Sequence, residues 1–423
     1  MDISKKYDED LRNFTERLLT FETTSGNEKE AQEWLSDRLT DLGFDVYTWT
    51  ANADELAKST TFPSADEIDV DERPSVAGVL EFGDPDAGPT IILNGHIDVV
   101  PVEESSWETD PFEPTWDGDS LTARGAVDMK SNLAACIFAA KYAHEMENNL
   151  DGRVVVESVV GEEEGGIGAV AAALSNPYPF DRDAAIITEP TELDVVTAVE
   201  GSVMMNLEIE GRSAHAATRW EGESVLPHFE QIRTAFRELE ADRNERVTHP
   251  LYESFPISWP VNFGAVDAGS WASSVPAHLS SEIRIGVAPG ETNDAVESEF
   301  RDKLDAVTAK SDWLSQHPPT FERRAIQFEP AEISVDEPII TALQTAMRNQ
   351  GLSDIEPRGA TYGADSRHYI AAGIPTVLFG AGSIKQAHFP NETVEWPDVL
   401  TATEVLTDAV AEYLYLSTGV IES

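Results

Sequence analysis

Near the N-terminus, Leu11, Phe14 and Leu18, and then Ala31, Trp34, Leu35, Leu39 and Leu42, recur at helical spacing. Gly43 is placed to end the second of these two predicted helices. Residues 51–74 are polar and acidic, include Pro63 and Pro74, and read as an exposed loop. Four short apolar runs follow, at 90–93, 153–160, 184–188 and 375–379, with a helical pattern over 131–147 between the first two. Nearly continuous apolarity suits parallel strands covered on both faces. The predicted class is therefore α/β, a mostly parallel sheet with helices on both sides. The middle of the chain differs. Alternating strand patterns at 203–210, 279–285 and 320–328 flank helical patterns at 224–243 and 292–310. We read residues 1–200 and 331–423 as one domain, interrupted by a smaller α+β unit over 201–330.

Charge narrows the function classes. The 423 residues carry 78 Asp plus Glu against 29 Lys plus Arg, a formal net charge of −49. Nucleic acid is excluded as a partner, because binding it needs clustered cations to displace counterions. An anionic membrane surface is disfavoured for the same reason. The longest unbroken apolar run, 133–140, falls far short of the ~20 residues that span a bilayer. The opening MDISKKYDEDL lacks an apolar signal core, which predicts a cytoplasmic protein. The single cysteine, Cys136, excludes an intrachain disulfide and sits in an apolar run that predicts burial. The composition is 41% hydrophobic with nine Trp, which argues for a folded chain rather than a disordered acidic one. Only nine of the 29 cations are Lys. A folded, acid-coated, Lys-poor surface fits a cytoplasm of very high salt, where screening removes most self-repulsion.

Candidate chemistry collects just beyond the apolar strands. His96 and Asp98 end the run TIILNGHID, two residues apart and so on one side of an extended backbone. Glu162, Glu163 and Glu164 follow RVVVESVV, Glu189 follows AAII, and His388 lies in the loop after IPTVLFG. Asp128 precedes the predicted helix at 131–147. Open α/β sheets bind ligands outside the carboxyl ends of their strands. Several carboxylates packed together repel one another. One or two divalent cations would relieve that repulsion. Two His with three or four carboxylates and no thiolate suit zinc, with cobalt or manganese as alternatives.

At these residues the chain resembles the co-catalytic metallohydrolase family of acetylornithine deacetylase, succinyl-diaminopimelate desuccinylase, aminoacylase and carboxypeptidase G. The matching segments are GHIDVVP (95–101), RGAVDMKS (124–131), GEEEGG (161–166), TEPTEL (188–193), GRSAHA (211–216) and AHFPNE (387–392). The resemblance implies a lid over 201–330 that commonly dimerises. It implies that His96 and Glu189 hold one zinc, Glu163 and His388 the other, and that Asp128 bridges the two. It gives Asp98 the task of hydrogen-bonding His96, and Glu162 that of general base. It places a cis peptide bond after Asp128. His215 resembles the family's oxyanion donor, often supplied by the partner subunit. Arg284 resembles the arginine that grips a substrate carboxylate, a task for which a bidentate guanidinium is suited. One departure stands just before it: the family often shows Asn-Val-hydrophobic-Pro, whereas this chain reads Ser273-Ser274-Val275-Pro276.

The implied activity is hydrolysis of the amide bond of a small N-acyl amino acid. The implied enzyme is a zinc-dependent deacylase, active as a homodimer, acting in amino-acid biosynthesis. A carboxypeptidase or dipeptidase on the same site is the alternative. A two-metal phosphoesterase would want cations beside the motifs, and few are there. A metal-free binding protein would not need all five ligands and Glu162. Asp365 and Arg367, in TYGADSRHY, are expected either to line the pocket or to tie down a turn, and His368 to be structural.

Overall fold

A computed structural model describes residues 3–62, 68–146 and 149–418. Four strands form the parallel centre of a nine-stranded sheet: Gly152–Val159, Thr90–His96, Ala184–Ile187 and Thr376–Leu378. Strands Asp45–Thr50 and Pro74–Phe82 add an antiparallel margin on one side, and Val196–Val199 with Ala331–Glu332 on the other. Alternate residues of one strand feed two different cores. Val154 and Val156 join helices Ile3–Leu19, Lys130–Met146, Pro338–Asn349 and Trp396–Thr418, while Val155 faces Ala169 and Tyr369 on the opposite side. Both faces are dry, so every residue of Gly152–Val159 is buried. The apolar runs read as near-continuous for this reason. The fold is α/β, with a mostly parallel sheet between helices.

Residues beyond Glu200 build a second, antiparallel sheet. Its order is Val261–Ala268, His278–Val287, Gly201–Glu210 and Thr320–Arg323. One face packs on helices Leu226–Arg246 and Asn293–Thr308 through Val203, Met205, Leu207, Phe236, Ile283 and Phe300. The other face is partly exposed, which produces the alternating burial along Gly201–Glu210.

Two expectations need correction. The strand expected over 320–328 stops at Arg323. Ala325 takes a left-handed φ of 56°, and the Gln327 side chain accepts from the Met204 amide, so the pairing with Gly201–Glu210 is broken there. The loop over 51–74 is not wholly exposed. Leu56 and Phe62 are buried against Ile167 and Val170, and Ala53–Leu56 is a helical turn capped by the Asn52 side chain. Pro63 lies outside the described residues, as does Glu147, the expected end of the helix at 131–147. Cys136 is buried as expected. Among the described residues no helix is long and apolar enough to cross a membrane.

Candidate metal centre

The carboxyl ends of the four parallel strands bring distant residues together. His96 is the last residue of Thr90–His96 and is 1% exposed. Its Nδ1 donates to the main-chain oxygen of Asp98 at 2.9 Å, and its Nε2 donates to Asp128 Oδ1 at 2.9 Å. This corrects one expectation. The Asp98 carboxylate stands 3.7 Å from His96 Nδ1 and accepts instead from the amides of Glu162 and Glu163, at 3.2 and 3.1 Å. Asp98 thus orients His96 through its backbone, while its side chain fixes the turn that carries both glutamates.

Asp128 is the hub. Its Oδ2 is 3.5 Å from His388 Nε2, which in turn is 3.0 Å from Glu163 Oε1. The Asp128–Met129 peptide bond is cis, as the resemblance implied. Behind it, the buried Glu392 carboxylate accepts four hydrogen bonds: Arg124 Nη1 at 2.7 Å and the amides of Gly125, Val127 and Asp128 at 3.1, 2.7 and 3.0 Å. Glu392 lies four residues after His388, so one side chain ties the Asp128 loop to the His388 loop. Gly166 closes the GEEEGG turn with a φ of 88°, and a Cβ there would stand 2.2 Å from Asp365 Oδ1. Only glycine fits that approach.

Electrostatics mark the cluster as one that wants cations. Burial, reinforced by Asp128, pushes Glu189 up to about 8. Burial also raises Glu162 well above the usual carboxylate range, with Asp365 and Glu189 adding to it. The hydrogen bonds of Asp128 and Glu163 lift His388 to about 10, against the opposing effect of burial. Burial opposes ionisation of Asp128, but His388 and His96 overcome it and hold that carboxyl low. His96 Nε2, Asp128 and Glu163 offer three ligand atoms within 4.8 Å of one another. The 2.9–3.5 Å separations across Asp128 approach the about 3.3 Å expected between two ligand atoms on one tetrahedral zinc with ~2.0 Å bonds. The donor set therefore fits a divalent cation.

Asp128, Glu162, Glu163, Glu189 and His388 line one cavity of about 200 Å³, with Arg284 and Tyr362 in its wall. The Glu162 carboxylate makes no hydrogen bond among the described residues. Arg284 is engaged: Nη1 donates to the fully buried Glu200 at 3.0 Å, and Nη2 donates to the Thr361 carbonyl at 3.2 Å. Burial drives Glu200 up to about 8 against the pull of Arg284. His215 is not among the residues lining this cavity. It is exposed, bridged to Ser274, with Nδ1 accepting from the Ala217 amide at 3.1 Å. His368 is largely shielded, with Nε2 3.0 Å from the Gly165 carbonyl, a structural placement. Asp365 is buried with neither oxygen hydrogen-bonded, and Arg367 donates to the Ala364 and Gly165 carbonyls. Glu392 and Tyr362 had no role in the sequence reading. Their only signals were positions inside the AHFPNE and TYGADSR segments.

Residues 92–412 match the model of Peptidase family M20/M25/M40. An N-formyl-4-amino-5-aminomethyl-2-methylpyrimidine deformylase from Bacillus subtilis is 26% identical over 436 residues, covering 97% of this chain and 96% of the relative. A probable succinyl-diaminopimelate desuccinylase from Staphylococcus aureus is 26% identical over 359 residues, covering 79% of this chain and 86% of the relative. The solved structure of a tripeptidase from Staphylococcus aureus shares the fold, with a TM-score of 0.71 at 21% identity, covering 96% of this chain and 98% of that one. With most of its length matched, the chain belongs to Peptidase family M20/M25/M40, a family of metallohydrolases acting on amide bonds.

Proposed function

We propose that this chain is a zinc-dependent deacylase that uses two metal ions to cut the amide between a small acyl group and an amine nitrogen. The convergence of two imidazoles and the carboxylates of Glu163 and Glu189 around Asp128, with Glu162 half-buried and unbonded beside them, carries this reading. His96 and Glu189 would hold one ion, His388 and Glu163 the other, and Asp128 both. Such a pair would supply Lewis acidity to the amide carbonyl and make a nearby water acidic at neutral pH. Glu162 takes the proton of the attacking water as the carbonyl carbon becomes tetrahedral, and returns it to the leaving nitrogen. Its raised affinity for protons suits both halves of that cycle. The near full-length match to a deformylase supports a deacylase over a peptidase. N-acyl amino acids and N-acyl amines both fall within this reading.

The working unit is proposed to be a cytoplasmic homodimer in molar salt, with residues 201–330 as lid. His215 would act as oxyanion donor in the partner's site, and Arg284 would border the substrate. A donor aimed at the oxyanion contributes about 3–4 kcal/mol.

The test is a panel of N-formyl, N-acetyl and N-succinyl amines and amino acids, with dipeptides, assayed on zinc-, cobalt- and manganese-loaded enzyme in high salt. Glu162→Gln should keep both metals by elemental analysis and lose at least about a thousandfold in kcat. Full activity of Glu162→Gln removes that residue from its role. Cleavage of dipeptides alone transfers the site to the peptidases.

A further inference from the structure

Strand register fixes where Arg284 points. In His278–Val287 it stands opposite Met204, while its neighbours Ile283 and Ile285 enter the core of the second sheet with Val203 and Met205. Side chains alternate across a strand, so Arg284 lies on the other face, where it forms part of the wall of the metal cavity. Its guanidinium is held from two sides. Nη1 donates at 3.0 Å to Glu200, the residue that joins Val196–Val199 to Gly201–Glu210. Nη2 donates at 3.2 Å to the carbonyl of Thr361, which directly precedes Tyr362 in the cavity wall. A guanidinium carries five N–H groups. The other N–H groups of Arg284 have no partner among the described residues, and the side chain is 26% exposed.

Glu200 is fixed as firmly as the arginine it holds. It is fully buried, and its amide donates at 3.0 Å to the Ala360 carbonyl, which also accepts from the Tyr252 hydroxyl at 2.9 Å. Its carboxyl rests against Gly286, where a Cβ would stand 2.2 Å from Oε1. Gly286 is two residues from Arg284 and so on the same face of the strand. The missing side chain there lets the carboxyl lie beside the guanidinium. Arg284 is the only side chain hydrogen-bonded to Glu200 among the described residues, and Oε2 has no partner. An apolar residue would fill this space without the desolvation cost of an acid, so stability alone does not account for Glu200. Burial drives its carboxyl up to about 8 against the opposing pull of Arg284 and Arg243. At pH 7 the neutral acid accepts through its carbonyl oxygen, and the guanidinium keeps its full charge.

Resting on the deacylase reading above, we infer that Glu200 is a positioning residue: it holds Arg284 in the cavity wall so that the free N–H groups of the guanidinium receive a carboxylate on the substrate. A loose arginine samples many rotamers, and ordering it on binding weakens affinity. Glu200 and Thr361 order it beforehand. A carboxylate can then accept two parallel N–H bonds from the guanidinium. The substrate class that follows is an N-acyl amino acid rather than an N-acyl amine without a carboxylate.

N-acetylmethionine and N-acetylmethioninamide differ only in the carboxylate. Calorimetric titration of each into metal-loaded Glu162→Gln protein, at pH 7 in molar KCl, should show the carboxylate form binding at least about tenfold more tightly. Equal binding, tighter binding of the amide or binding of neither overturns the inference. Adding Glu200→Ala should erase most of that preference and leave binding of the amide within about twofold. A preference that survives in the folded variant overturns the role of Glu200. Should Glu200→Ala fail to fold, Gly286→Ala, which crowds the carboxyl away from the guanidinium, carries the same expectation. In turnover by the zinc-loaded enzyme, Glu200→Ala should raise KM for N-acetylmethionine at least about tenfold with kcat within about threefold. Glu200→Gln keeps an acceptor oxygen for Nη1 and should restore KM to within about threefold of the parent enzyme. An equal rise in KM for the acid and the amide marks a merely structural residue and overturns the inference. Failure to cleave either compound, with the Glu200-dependent preference in binding intact, instead sinks the deacylase reading.

Discussion

A carboxylate that accepts four hydrogen bonds in a dry interior cannot be cut back to a methyl group without stranding its donors. Glu392→Ala leaves Arg124 unpaired and frees three amides of the Asp128 loop. Breaking such a buried pair costs about 3–5 kcal/mol. With Asp128 as the proposed shared ligand, metal affinity should fall about 10–100-fold, as for other outer-shell partners. Chelator competition titrations measure this, and unchanged affinity would count against the loop-tying role. Proton linkage offers a second check on the same side chains. In metal-stripped protein, Glu189 sits at about 8 and His388 at about 10, both above their ordinary values of 4.5 and 6.5. The folded state then binds more protons than the unfolded one, so stability falls as pH rises. The Glu189 contribution is lost from about pH 4.5 to 8 and that of His388 from about 6.5 to 10. Asp128 acts oppositely, but only in acid. The melting temperature of the chelator-treated protein should therefore drop from pH 5 to 9, and zinc should stabilise more at the upper end. A rising melting temperature without metal would contradict this. His96, Glu163, Glu189 and His388 were legible in the sequence because each follows a buried strand, and Asp128 because it precedes a helix. Glu392 was not, since its partner at Asp128 lies 264 residues away and leaves no spacing to read.

At the scale of elements, near-continuous apolar runs located three of the parallel strands to within a residue at each end, while Thr90–His96 runs three residues beyond its apolar stretch. The reach of 320–328 was misjudged because periodicity cannot register a left-handed residue at Ala325. Nor does it register a side chain standing in for a ladder partner, as Gln327 does. Strand Val261–Ala268 is the margin of the second sheet, and Val266 is half exposed there. An unpaired strand edge is a template for another chain. The proposed second copy would sit on it, which would also bury Trp271, now 73% exposed. Val266→Lys should then convert a dimer to a monomer by light scattering and lower kcat, since His215 would no longer reach a neighbouring site. A monomeric wild-type enzyme with full activity would refute the arrangement.

For the whole molecule, charge decides the solvent it tolerates. A net charge of −49 on 423 residues works against the compact state at low ionic strength. At about 1 M salt the Debye length is only about 3 Å, and that repulsion is largely screened. Raising KCl from about 0.1 to 3 M should increase the melting temperature on the order of 10 °C. Indifference to salt would leave the acidity unexplained by solvent. Lopsided charge was plain in the composition, whereas the route by which Glu200 leads one sheet into the other needed coordinates.

The lone thiol has a practical consequence. Cys136 is sealed in helix Lys130–Met146, 3.3 Å from Thr188 Oγ1, and burial pushes it up to about 12. Water-borne maleimide dyes therefore have nothing to react with on the native surface. One cysteine introduced on each side of Glu200 would then be the sole attachment points for a donor and an acceptor fluorophore, and energy transfer between them would report whether the two sheets change separation when a ligand is added.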